Sequence, residues 1–97
     1  DAIFAINDPI AVGCMLELKK RGIRVPEDIA VAGFSESPIG RIMELTSVYQ
    51  PTFDIGRRAA GLLLKKIEHY DSPVETVILD GKLNIRNSTL PMLKKIR

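Results

Sequence analysis

Apolar residues in this chain fall into short blocks between polar turns, and the spacing within each block separates strand from helix. Residues 3–7, IFAIN, are a brief apolar run and predict a first strand. Asn7 or Asp8 can cap a following helix, and Pro9 suits its first position, where a missing N–H costs nothing. Ile10, Ala11, Cys14, Met15 and Leu18 then recur at helical spacing. Glu17 stands one turn before Lys20 and Arg21, Lys19 to Arg21 favour the negative end of the helix dipole, and Gly22 supplies a stop. Pro26 ends what precedes it. Ile29 to Ala32 form an unbroken apolar run closed by Gly33 and Phe34, the pattern of a strand buried on both faces in a parallel sheet. Together with the helix it makes a βαβ unit.

Residues 38–45 read as a mixed connection and 46–50 as a short strand ended by Pro51. A second helix is predicted over 54–69, capped by Thr52 or Asp54, with Ile55, Ala59, Leu62, Leu63 and Ile67 as its apolar stripe. Residues 71–73 form a loop, and 75–79 and 82–86 are extended on either side of Asp80–Gly81, a pair that by itself signals a hairpin. Strands alternating with helices give an α/β fold. Ser35, Glu36 and Ser37 sit just past the carboxyl end of the second strand, where open α/β sheets place their ligands. Asn7 and Gln50 end the first and third strands, so a parallel sheet would bring these positions to one edge.

Composition removes several function classes. The 97 residues suit one small domain, with 45% hydrophobic and 27% charged residues, and no apolar run reaches the length of a membrane span. A net charge of +2 does not advertise a nucleic-acid surface. Cys14 is the single cysteine, which rules out an internal disulfide, and it reads as a packing residue. His69 has no second histidine or cysteine near it, so no metal set is expected. No P-loop, GxGxxG or HExxH is present, and no catalytic set or cofactor site is expected. The basic residues 94–97 read as a solvated terminus, and the abrupt opening on a strand reads as a piece of a longer polypeptide.

Four segments in register carry a family resemblance. VPEDIAVAGFS (25–35) resembles a segment of LacI-type transcriptional regulators. DAIFAINDPIAVGCMLELKKRGIR (1–24), LTSVYQPTFDIGRRAAGLLLKKIE (45–68) and NIRNSTL (84–90) are similar to neighbouring segments of the same family, in the same order. The resemblance implies a fragment of a two-lobed, type I periplasmic-binding-protein-like fold, with a parallel sheet and flanking helices. Residues 1–45 would belong to the C-terminal lobe, 46–50 would cross over, 51–75 would pack on an N-terminal lobe outside this chain, and 76–90 would return as a long crossover strand rather than a hairpin. It further implies a cytoplasmic, non-enzymatic homodimer that takes a sugar or sugar-like effector. Operator DNA would be bound through an N-terminal helix-turn-helix beyond this chain.

In that family the positions of Asn7, Ser35 and Gln50 are typically Asn, Asp and Gln and contact the effector. Asn7 and Gln50 match; Ser35 departs, since serine cannot replace a bidentate carboxylate. Glu36 is the neighbouring candidate substitute, and Arg41 a candidate counter-charge for an acidic effector. Helix one and the loop after the second strand carry much of the family's dimer contact, which makes Val12, Met15, Leu16, Ile42 and Met43 the interface candidates. A periplasmic sugar-binding protein of a transport system shares the fold and the strand-end site and is the main alternative; an α/β enzyme fragment has no catalytic set to support it.

Overall fold

The structure is a computed structural model that describes residues 1–89. The basic 94–97 tail and residue 90 of the expected return strand lie outside the described residues. The chain divides into two compact units: Asp1–Tyr49 with the described residues from Lys82 onward, and Gln50–Gly81.

The first unit is built on a four-stranded sheet in the order β1 (Ala2–Phe4), β2 (Ala30–Phe34), β3 (Thr46–Tyr49) and β4 (Lys82–Asn84). Helix α1 (Asp8–Lys20) joins β1 to β2, and α2 (Pro38–Ile42) joins β2 to β3. β1, β2 and β3 run parallel, with Ile3 beside Val31 and Gly33 beside Ser47, while β4 lies antiparallel to β3. The α/β expectation holds, and the sheet is mixed at its β4 edge. Parallel neighbours need a crossover, and here each crossover carries a helix.

Asn7 caps α1 from an extended backbone, its Oδ1 accepting the Ile10 N–H at 3.0 Å. At the other end Gly22 takes φ +75°, and Gly22 and Ile23 donate N–H groups to the carbonyls of Lys19 and Leu18 at 3.0 and 2.9 Å. A left-handed residue after the last turn is what closes those carbonyls, and glycine holds it without strain. The inward face of α1 runs through Asp8, Ala11 and Val12, with Met15 and Leu18 partly buried beside them. Ile10, expected on that stripe, is exposed. Val12 packs with Ala5, Ala11, Val31 and Leu45 in the core, and this corrects its place among the interface candidates: a side chain turned into its own unit offers nothing to a partner.

The connection 38–45 contains a helix that its weak periodicity hides. Ser37 Oγ accepts the Gly40 N–H at 3.2 Å, and Pro38 follows in the first turn. Glu44, at φ +55°, turns the chain into β3, and Leu45 is fully buried. The expected long return strand is shorter than predicted: only Lys82–Asn84 joins the sheet, and 75–79 is irregular. Apolar content alone does not make a strand; an edge must be available to satisfy its backbone. Asp80–Gly81 does not close a hairpin, since β4 pairs with β3.

The NIRNST segment fastens the sheet by hydroxyls. Ser88 Oγ donates to the Val31 carbonyl at 2.6 Å and accepts the Thr46 N–H at 2.8 Å, and the Thr46 and Thr89 hydroxyls meet at 2.6 Å. Ser88 is buried, so Ser88→Ala strands a donor and an acceptor on two different strands. We expect a loss of about 2 kcal/mol in urea denaturation; an unchanged midpoint would show that the ties are dispensable.

In the second unit α3 spans Thr52–Glu68, starting two residues earlier than expected. Neither Thr52 nor Asp54 caps it through its side chain; Asp54 pairs with Arg57 at 3.2 Å. Lys65 pairs with Glu75 at 2.5 Å, and Lys66 donates to the Ser72 carbonyl. No residue of α3 is buried, and Phe53, Leu63, Leu64 and Ile67 are exposed.

Candidate effector site at the strand ends

The carboxyl end of β2 is organised by two buried carboxylates. Asp8, at the start of α1, is 1% exposed. Its Oδ2 accepts the Ser37 N–H at 2.7 Å and the Ser37 hydroxyl at 3.3 Å, and its Oδ1 accepts the Ser47 hydroxyl at 2.6 Å. The group fits because Gly33 and Gly40 lack side chains: a Cβ on either would come within 2.4 or 2.2 Å of an Asp8 oxygen. Asp8 thus links α1, β3 and the start of α2.

Glu36 is the second carboxylate, with its side chain 6% exposed. Its Oε1 accepts from Arg86 and, at 2.8 Å, from the Asn84 amide. Its Oε2 lies 3.7 Å from Arg41 Nε. Burial alone would push this carboxyl up; the hydrogen bonds from Arg86 and Asn84 and the two guanidinium charges outweigh it and hold the carboxyl below the ordinary glutamate value. Arg86 also donates to the Leu45 carbonyl at 2.9 Å.

Around these anchors stand the sequence candidates. Ser35 is exposed, with φ +73°, and its N–H extends the ladder by donating to the Val48 carbonyl at 2.9 Å. Asn7 is half-buried; its oxygen caps α1, and its amide nitrogen makes no hydrogen bond among the described residues. Ser35, Glu36 and Arg41 are brought together at one strand end. The Glu36 carboxylate has structural partners on one oxygen, Oε1, from Arg86 and Asn84, while Oε2 has Arg41 beside it at 3.7 Å. Arg41, read as a counter-charge, stands beside Glu36 with its side chain 60% exposed. Gln50 opens the second unit, half-buried, its carbonyl accepting the Thr52 N–H at 2.8 Å.

Of the interface candidates, Met15, Leu16 and Met43 line one open groove together with Ile23 and Val25, and Ile42 is exposed. Asp8, Asn84, Arg86 and Ser88 were not singled out from the sequence as structural anchors. Among the described residues no group of His, Cys, Asp or Glu is placed to hold a metal ion, and no helix is long and apolar enough to cross a membrane.

The model of the periplasmic binding protein-like domain matches residues 1–89. The HTH-type transcriptional regulator IdnR of Escherichia coli K12 is 48% identical over 81 residues, covering 81% of this chain and 24% of its own length. The ribose operon repressor of Halalkalibacterium halodurans is 35% identical over 92% of this chain and 28% of its own length. Among solved structures, the transcriptional regulator CelR–cellobiose complex superposes with a TM-score of 0.82 at 36% identity, covering 91% of this chain and 28% of that one. The chain therefore spans about a quarter of the length of these curated relatives, a transcriptional regulator and an operon repressor. This chain belongs to the periplasmic binding protein-like domain family, in the form found in LacI-type transcriptional regulators.

Proposed function

We propose that this chain is the effector-sensing part of a LacI-type transcriptional regulator, with Asn7 and Ser35 contacting a sugar or sugar derivative. The observation that carries the reading is the pair of polar residues just past parallel neighbours β1 and β2, one an asparagine whose amide donor makes no hydrogen bond among the described residues and the other an exposed serine. Sugar hydroxyls need both donors and acceptors, and an amide supplies both. Gln50 stays a candidate on the resemblance alone. The full-length polypeptide would carry a helix-turn-helix for operator DNA, work in the cytoplasm, and pair as an isologous dimer through Met15, Leu16, Ile42 and Met43. The exposed stripe of α3 would pack on an N-terminal lobe outside this chain. The effector would favour one of two arrangements of the domain and so change operator affinity, without turnover.

The test is operator binding by the full-length protein, in the presence of a panel of sugars and sugar acids, for wild type and Asn7→Asp. Aspartate caps a helix as well as asparagine does but lacks the amide donor, so folding is spared. One compound is expected to shift operator affinity about tenfold, and Asn7→Asp to weaken that response. A panel without effect, or an Asn7→Asp protein that responds like wild type, would defeat the assignment.

A further inference from the structure

We propose that the effector is a polyhydroxylated anion, an acidic sugar, and that Arg41 is the charge that meets it. The inference rests on the effector reading above and goes further by naming the ligand's charge. Three observations support it.

The first is the backbone of position 35. At φ +73° aspartate and asparagine are better tolerated than most residues, so an aspartate would serve this turn at least as well as serine does. The uncharged residue is not something the local fold demands, and it leaves this strand end without a carboxylate at position 35.

The second is the state of the remaining carboxylates. Glu36 is enclosed and neutralised by Arg86, and Asp8 is enclosed and bonded to Ser37 and Ser47. Asp8 is buried, and the Glu36 oxygen left without a hydrogen bond among the described residues is the one beside Arg41, at 3.7 Å.

The third is Arg41 itself. Its one ion pair among the described residues is to Glu36 at 3.7 Å, longer than a hydrogen bond, and Glu36 already has Arg86. Arg41 therefore adds a second guanidinium to a carboxylate that needs only one, with most of its side chain in solvent. A guanidinium fork matches a carboxylate or phosphate with two parallel hydrogen bonds.

Calorimetric titration of the full-length protein tests this with D-gluconate, D-galacturonate, glucose 6-phosphate, D-glucose and D-ribose, on wild type, Arg41→Gln and Ser35→Asp. Saturable binding is expected for an anionic compound and not for the neutral sugars; the carboxylates and the phosphate ester tell the two sources of charge apart. Arg41→Gln should weaken the anion about tenfold or more and flatten its salt dependence. Ser35→Asp should weaken it too, while thermal unfolding stays that of wild type. Neutral sugars saturating the site while the anions do nothing would overturn the charge inference and leave the effector reading standing. Binding of no compound would remove the effector reading and this inference with it. An anion bound equally well by Arg41→Gln would overturn the role of Arg41.

Discussion

Replacing Arg86 by alanine is expected to destabilise the protein by about 3 kcal/mol at neutral pH, because it takes from a largely buried carboxylate its one hydrogen-bonded cation. Glu36 has its side chain 6% exposed, and Arg86 is the guanidinium bonded to it, while also serving the Leu45 carbonyl. Removing the cation takes a donor from the Leu45 carbonyl and leaves Glu36 with the Asn84 amide and the more distant Arg41. Removing both members of the pair, as in Glu36→Met with Arg86→Met, should cost less than Arg86→Ala alone, since no charge is then left inside. Acidification separates the two causes further. The Glu36 carboxyl is held below its ordinary value in the folded protein. Its contribution is therefore fully present above the unfolded value of about 4.3 and is lost as pH falls through the lower folded value. In Arg86→Ala that depression weakens, since only Asn84 and Arg41 remain to lower the carboxyl against burial, and protonation of Glu36 relieves the poorly compensated charge. The stability gap between wild type and variant should narrow below about pH 4. Urea denaturation across pH 3 to 7 reads it, about four decades around the carboxylate range; a gap that stays constant would mean that Arg86 acts by packing alone.

A comparable effect is expected at Asp8, with a signature no simple packing defect would give. Asp8→Ala removes the acceptor for the Ser37 N–H and for two hydroxyls, and should cost about 3 kcal/mol. Gly40→Ala drives a Cβ to within 2.2 Å of Asp8 Oδ2 and should cost about 2 kcal/mol in the wild-type background. In the Asp8→Ala background the obstruction is gone. Alanine then gains over glycine in α2 by about 0.5–1 kcal/mol, so the same substitution turns neutral or stabilising. The double mutant is expected to be more stable than Asp8→Ala plus Gly40→Ala predicts by more than about 1 kcal/mol. Strict additivity would show that Asp8 moves aside and that the glycine is not required for its seat.

How far the sequence could be read divides along physical lines. Strands β1 to β3 and helices α1 and α3 announce themselves because apolar residues recur at the periods those structures impose. What stayed hidden is polar. The inward row of α1 begins with Asp8, continues through Ala11 and Val12 and reaches Met15; a row that starts on a charge loses its first turn to a hydrophobic search. That is why Ile10 was expected inside and Val12 was left for an interface. Helix α2 is short enough to lack periodicity, although Ser37 followed by Pro38 is an N-terminal signal that could have found it. Residues 75–79 carry strand-like composition, but whether an edge is free to receive them is a property of the fold and not of the segment. Asn7 and Ser35 came from the strand-end rule joined to a resemblance, whereas the closure of Glu36 by Arg86 spans fifty positions of sequence and leaves no local trace.

Tyr49 and Lys82 face each other across the β3–β4 pair, yet the whole Gln50–Gly81 unit lies between them in sequence. To the sheet of the first unit that excursion is a loop whose two ends meet. The entropy of closing such a loop grows only with the logarithm of its length, so the sheet is largely insensitive to how much chain is threaded out and back. Evolution or an experimenter could lengthen, shorten or exchange that unit while the β3–β4 register, and with it the seat of Glu36 and Arg86, stays where it is.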